Sequence, residues 1–393
     1  MSGLFAALLL RHRGWHVDVY ERVEGELAGR GAGIVAQTET RDVLRLLGID
    51  PGSGLGVEME KRRTFGRDGR LVGEHACPQT LTAWERVYRL LRDAFPAAHY
   101  HRGVKLDRIE QHDGAVIAHF AGGGRAQADL LVGADGLRST VRTQFLPEFA
   151  PLYAGYAAWR ALVDEAQISA ATHRDIFEYM AFCLPPGEQM LGYPVAGQND
   201  DLRPGHRRYN LVWYRPADER TKLPWMLTDA CGHVHEGSIP PPLVRPEVIA
   251  DMRAGAARLL PPQMQEVIAL APQPFLQPIY DLESPRMAFG RVAILGDAAF
   301  VARPHVAAGV SKAAEDATAL VDALAAEGEV AHALRRFEQA RLAIGARIVQ
   351  RGRQLGAYIQ AERATPEERA HAERHFSPRA VMSETAVLDF LYA

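Results

Sequence analysis

Residues 290–316 read GRVAILGDAAFVARPHVAAGVSKAAED, and this stretch decides the fold. Residues 291–295 form a short apolar strand, and Gly296 lets the chain turn sharply at its end. Asp297 is thereby left at the carboxyl end of a strand, where open α/β sheets place their ligands. The loop closes near Pro304, and Gly309 opens a helix whose first N–H groups have no partner within it. A carboxylate able to grip a polyol therefore lies close to a helix end able to stabilise an anion. That pairing suits a flavin, which carries a ribityl chain and a ring that becomes anionic on reduction.

The first fifty residues supply a second piece. Residues 3–13 have helical character, Gly14 is placed to end that helix, and residues 16–20 alternate as a strand finishing in Glu21. This is the second half of a dinucleotide-binding βαβ unit, in which a glycine loop precedes the helix and an acidic residue about 20 positions on holds a ribose hydroxyl. Gly3 fits the last glycine of that loop and Glu21 the acidic residue. The first strand and earlier glycines are missing from the pattern, as a start codon assigned too far downstream or a truncation would leave it. Taken alone, the same residues also read as an amphipathic helix opened by Gly3 and a solvated strand end at Glu21.

A third piece lies between them. Residues 129–132 are a compact apolar strand running into GADGLRSTVR at 133–142, a tight strand-to-helix turn with Asp135 between two glycines. Residues 115–120 and the GGG at 122–124 suggest a hairpin just upstream. From Pro151 the texture changes. Residues 153–163, 176–184, 189–195 and 208–215 are strand-like and rich in aromatics, which predicts an antiparallel sheet with one face covered. Residues 318–359 are mostly helical. Trp159 and Trp213 read as sheet core.

Composition bounds the class. The 393 residues are 47% hydrophobic and 24% charged, ordinary for a globular protein of about two domains. A net charge of −3 gives no reason to expect nucleic acid or an anionic membrane as partner. Three widely spaced cysteines predict neither a disulfide framework nor a zinc site, so a reduced, cytoplasmic compartment is expected. Residues 4–10 are apolar, but no basic residue precedes them and Arg11 follows at once, unlike a secretion signal.

Together, GADGLRSTVR and GRVAILGDAA, in that order and separated by a β-rich insert, resemble the class A flavoprotein aromatic hydroxylases over nearly the whole chain. YAGYAAWRALV at 153–163, YPV at 193–195, ARPHVAAG at 302–309 and GAGIVAQ at 31–37 resemble the hydroxypyridine-oxidising members. The resemblance implies an α/β protein: a Rossmann-like FAD-binding domain lacking its first strand (1–150 with 282–360), an inserted antiparallel substrate domain (151–281) and a C-terminal tail (361–393). Ser2 and Gly3 would approach the FAD pyrophosphate, and Glu21 the adenosine ribose with Arg22 beside it. Gly33 and Leu106 would also line the cofactor. Asp135 would link the FAD and nicotinamide sites, and Asp297 would hold the ribityl or pyrophosphate region. Pro304 would close the loop beside the flavin, and the backbone of Gly309 and Val310 would face the flavin pyrimidine edge. Two departures stand out. Ala307 and Ala308 replace the glycine and glutamine of the usual P-x-x-G-Q-G, and Trp84 stands near where many members carry a pyrophosphate-binding arginine, for which Arg86 is a possible substitute.

The implied activity is hydroxylation of an electron-rich aromatic ring by NADH or NADPH and O2, through a flavin C4a-hydroperoxide. No metal is required. The ring needs a base or donor near its hydroxyl. His305 leads, because an unperturbed pKa near 6.5 suits proton transfer; Tyr193 at a strand end and Gln37 from the first domain follow. His305 and Tyr193 also have plainer readings, as a loop anchor and a core aromatic. The partners expected are a small aromatic substrate, O2 and a second copy in a homodimer. The alternatives are a related flavin oxidoreductase that does not hydroxylate a ring, or a non-catalytic flavin- or aromatic-binding protein.

Overall fold

The computed structural model describes residues 1–25, 27, 33–51, 54–112 and 114–392. The apolar run near the N-terminus is the helix Ser2–His12, whose residues from Leu4 to Leu10 are all buried. A helix apolar on every side is a core helix, and this one packs against Gly309–Ala326 in the first hydrophobic core. Gly14, at φ +87°, ends it and turns the chain toward Val19–Glu21. Among the described residues, no helix is long and apolar enough to cross a membrane.

Two small parallel pairs carry the motif strands. Val19–Glu21 pairs with Tyr100–Arg102, and Val292–Ile294 pairs with Leu131–Gly133. Ala288–Phe289 adds an antiparallel edge to the second pair, and 106–128 forms a separate three-stranded meander. The helices Gly309–Ala326 and Val330–Gly356 cover this part. Arg341 of the second joins Asp316 at 2.7 Å and Glu315 at 2.8 Å on the first.

The large sheet departs from the sequence reading in two ways. Among the described residues it has nine strands, because Gly33–Val35, Val57–Phe65 and Leu71–Ala83 from the first 150 residues, and Phe300–Val301 at the far edge, join the five strands that begin within 151–281. The boundary expected at 150 therefore does not confine the sheet. It is also covered on both faces. Trp159 and Trp213, opposite one another, pack on one face with the helices Pro246–Leu259 and Pro262–Leu270. Tyr156, Tyr193 and Tyr214 lie on the other with Ala372, Val381 and Met382. Burial on both sides explains why Met180–Cys183 and Gln189–Val195 are buried at every residue instead of alternating. The segment expected as a tail is thus two packed helices, Pro366–His375 and Pro378–Glu384.

The departure from the glycine pattern at Ala307 has a visible cost. Ala307 sits at φ +50°, ψ +32°, in the left-handed region that glycine occupies freely. Relief of roughly 1–2 kcal/mol of strain outweighs the roughly 0.4–1 kcal/mol that glycine gives to the unfolded chain. A307G is therefore expected to raise the urea midpoint slightly, by a stability gain of about 0.5–1 kcal/mol; a lowered midpoint would contradict the strain.

Candidate functional site

The site begins with one backbone register. Val292, Ala293 and Ile294 pair in parallel with Leu131, Val132 and Gly133, and Leu295 N donates to Gly133 O at 3.1 Å. The turns carrying Asp135 and Asp297 therefore leave the same end of the same small sheet. The N-terminus of Ser2–His12 fits between them. A Cβ on Gly3 would touch Ala134 at 3.3 Å, and a Cβ on Gly296 (φ +62°) would meet Ser2 Oγ at 2.5 Å. The Met1 amino group lies here too. Burial lowers its pKa, while Asp297 and Glu21 pull the other way. Glu21, Asp297, Ser2, Gly3 and the Asp135 turn are thus brought to one place.

The polar atoms there are incompletely satisfied. Asp135 Oδ2 accepts from Val141 N at 3.2 Å, capping the following helix, while its Oδ1 is buried without a partner. The Asp297 carboxylate is 56% exposed, with Lys312 Nζ 3.8 Å behind it. Lys312 is fully buried and donates no hydrogen bond. The other carboxylate near it, Asp316 at 4.0 Å, is already engaged by Gly296 N and Arg341. Gly309 opens the next helix with empty space where a Cβ would be, and Val310 behind it is buried. Buried groups left unpaired cost about 1–3 kcal/mol each, so two of them, Asp135 Oδ1 and Lys312 Nζ, beside these turns point to a polar ligand. An open carboxylate backed by an ammonium, beside a bare helix start, fits the polyol and anionic parts of a flavin dinucleotide.

A second constellation lies on the sheet face below the proline loop. Tyr193 stands directly opposite Asn210, and Arg160 opposite Val212, which is opposite Leu191. Alternation puts these side chains on one face. Asn210, wholly buried, accepts from Gly33 N at 2.9 Å through Oδ1, and its Nδ2 has no partner. Gly33 must lack a side chain, because a Cβ would lie 2.5 Å from the Tyr193 ring. The Arg160 guanidinium lies close enough to the Tyr214 hydroxyl to oppose the rise in its pKa, yet its Nε is orphaned, as are both amide atoms of Gln189 on the same face. His305 comes down onto this face from the loop. Its Nε2 lies 2.8 Å from the Tyr156 hydroxyl and its ring packs 4.4 Å from that of Tyr214.

Several expectations change. His305 is 2% exposed, and burial, with Arg303 and Arg160 adding to it, pushes its pKa down to about 3. It is a neutral imidazole near pH 7, not a base of ordinary strength. Arg86 holds the carbonyls of Pro51 (2.7 Å) and Gly54 and faces Asp200 at 3.5 Å, so it is committed to that loop. Trp84 stacks on Tyr88. Gln37 reaches the C-terminal segment instead, donating to Ala386 O at 3.3 Å. Arg22 is exposed, and Leu106 is half-buried two residues beyond Val104, whose N–H bonds Glu21 O. Pro304 starts the short helical turn that carries His305. Gly31 and Ala32 of GAGIVAQ lie outside the described residues. Missed from the sequence were Lys312, Arg160 and Asn210. A charge inside an apolar run, as in GVSKAA or AAWRALV, was the available signal for the first two.

Residues 153–281 match the family model described as FAD binding domain-like, and residues 281–352 the one described as FAD binding domain. The 3-amino-4-hydroxybenzoate 2-monooxygenase of Streptomyces cremeus is 32% identical over 369 residues, 90% of this chain and 84% of that protein. The chain belongs to the FAD-dependent aromatic monooxygenases. A 2,6-dihydroxypyridine 3-monooxygenase from Paenarthrobacter nicotinovorans is 29% identical to this monooxygenase over 365 residues, 92% of this chain and 89% of the relative. The solved structure of 2,6-dihydroxypyridine-3-hydroxylase from Arthrobacter nicotinovorans matches it with a TM-score of 0.86 at 28% identity, covering 93% of each chain. Klebsiella pneumoniae HpxO complexed with FAD and uric acid shares the fold, with a TM-score of 0.76 at 22% identity over 98% of this chain and 91% of HpxO. FAD is the cofactor of the monooxygenase.

Because His305 is neutral when folded and has an ordinary pKa when unfolded, acid favours unfolding. The unfolded chain takes up a proton below about pH 6.5 that the folded chain refuses until about pH 3. Stability is therefore expected to fall on acidification through that window, by up to about 1.4 kcal/mol per pH unit from this group. H305Q should flatten the difference curve of Tm against pH; parallel curves for both proteins would refute the burial-driven shift.

Proposed function

We propose that the monooxygenase hydroxylates a small aromatic ring of the hydroxypyridine or phenol class, bound with a ring oxygen ionised, using NADH or NADPH as reductant. The observation that carries this reading is the sheet face around Val212 and Leu191: an apolar floor ringed by the Arg160 guanidinium, the orphaned Asn210 Nδ2 and the Tyr193 hydroxyl. A flat ring covers the floor, and the donors suit one negative oxygen. Bound FAD supplies the redox chemistry, accepting electrons from the nicotinamide and activating O2. The chain binds, orients and keeps water out.

In this reading Asp297 accepts from cofactor hydroxyls, and Lys312 behind it provides fixed positive charge. Glu21 holds the ribose, with Ser2, Gly3 and Asp135 around the phosphate end, and Gly309 and Val310 offer backbone N–H groups to the ring. Tyr193 is a hydrogen-bond donor, since burial raises its pKa more than Arg160 lowers it. Arg160 stabilises the ionised oxygen. His305 acts as a neutral partner that fixes Tyr156 and the loop, and does not itself take the proton. The dihydroxypyridine named for two similar proteins supports the hydroxypyridine class.

Three measurements test this. K312M is expected to weaken FAD binding about tenfold to a hundredfold, the range of a lost charge-assisted hydrogen bond, read by flavin fluorescence during titration of apoprotein. Retained affinity would remove Lys312 from the site. NADH- or NADPH-dependent O2 uptake should be stimulated by hydroxypyridines or phenols, with hydroxylated product; absence of stimulation across both classes would defeat the functional reading. R160M should raise KM for the ionised substrate at least tenfold without loss of bound FAD, and R160K should recover part of it.

A further inference from the structure

On the opposite end of the Val19–Glu21 strand pair, away from Glu21, lies a cluster the flavin chemistry does not use. His16 and Asp18 are two residues apart on one chain, and His99 and His101 are two apart on the neighbouring one. Val19 pairs with Tyr100 and Tyr20 with His101, so the parallel register brings Asp18 alongside His99. The Asp18 carboxylate reaches the rings of His16, His99 and His101, so the four side chains meet on one side of the strand pair. The Tyr20 ring stacks on His101 at 4.8 Å, and the His16 and His99 rings meet edge-on at 4.9 Å, which fixes the imidazoles in place.

We infer that His16, Asp18 and His99, with His101 bonded to the Asp18 carboxylate beside them, form a binding site for one divalent transition-metal ion of the zinc type. Asp18 Oδ1 is 3.0 Å from His99 Nδ1 and 3.0 Å from His101 Nε2, and Asp18 Oδ2 is 3.7 Å from His16 Nδ1. Zinc holds nitrogen and carboxylate oxygen at about 2.0–2.2 Å in a tetrahedron, whose edges are then about 3.3 Å. The spacings from Asp18 to His99 and to His16 bracket that edge, and the donor atoms of His16, Asp18 and His99 all lie within 4.8 Å of one another, which leaves the fourth position to water. Two imidazoles and one carboxylate are also a donor set that suits zinc over magnesium or calcium, which prefer oxygen. The cluster Glu165, His173 and Glu178 is different in kind: Arg207 sits among its carboxylates at 2.6 and 2.8 Å and supplies the positive charge. The ion would cross-link two three-residue strands, a pair too short to be stable by itself. It would thereby brace the strand that ends in Glu21.

The test uses the tag-free, flavin-loaded protein after chelator treatment, titrated with cobalt(II) and then zinc(II). One cobalt per chain is expected, with the intense visible bands of four-coordinate cobalt, displaced by one zinc and accompanied by a rise in Tm. D18N and the double variant H99Q/H101Q should each weaken binding at least tenfold, as loss of a ligand requires. H173Q should leave it unchanged, and bound flavin should stay constant throughout. Cobalt uptake that persists in the double variant, pale six-coordinate spectra, or no binding below millimolar metal would each overturn the site.

Discussion

The register between Leu131–Gly133 and Val292–Ile294 is the constraint on which the cofactor end of the molecule rests. These strands are some 160 residues apart in sequence, yet a one-residue slip would separate the Asp135 and Asp297 turns and send the alternating side chains to the wrong faces. The ladder itself is too short to enforce this, since a few hydrogen bonds contribute about 1 kcal/mol net apiece. The stronger term is burial. Val292, Ala293, Ile294 and Leu295 are completely enclosed, and the two large side chains among Ile294 and Leu295 alone contribute about 1.5–3 kcal/mol each. Gly133 completes the lock, because any Cβ there would lie 2.9 Å from Val141 in the helix that Asp135 caps.

Local patterns were legible where local chemistry decides the outcome. The turn at Gly296, the helix beginning at Gly309 and the N-terminal helix follow from glycine placement and apolar runs, and the paired tryptophans followed from their aromatic strands. What escaped was set by distant partners. VEMEKRRTF at Val57–Phe65 looks like a charged surface segment, but Arg62 within it is wholly buried. Its two terminal nitrogens donate to the carbonyls of Met382 and Thr385 and to Gln79, while its Nε is left without a partner. No pattern within nine residues announces partners 320 positions away. The same holds for His305, whose residue type suggested a base and whose surroundings made it a buried neutral ring.

The C-terminal segment is held against the proline loop for a similar reason. Ala386, in the left-handed region at φ +58°, turns its N–H to His305 O at 2.7 Å. Its own carbonyl accepts from Gln79 at 2.8 Å and from Gln37 at 3.3 Å. One residue thus ties the proline loop to two elements of the first hundred residues. A buried carbonyl with two donors is fully satisfied, so the segment is held by specific bonds as well as by the apolar contacts of Val381 and Met382.

The sheet face beneath the loop also carries an argument about what it selects. Burial opposes ionisation of any phenol there, and Arg160 favours it. For Tyr193 and Tyr214 burial wins, and both stay protonated although the guanidinium is close by. A substrate hydroxyl as weakly acidic as tyrosine would meet the same balance and remain neutral. A ring whose hydroxyl is intrinsically more acidic starts nearer to ionisation, so the same positive field suffices to hold it as the anion. His305 cannot tip the balance by accepting the proton, since Arg303 and Arg160 both disfavour its charged form. On the proposed reading the site would discriminate by substrate acidity, favouring rings that arrive already ionised.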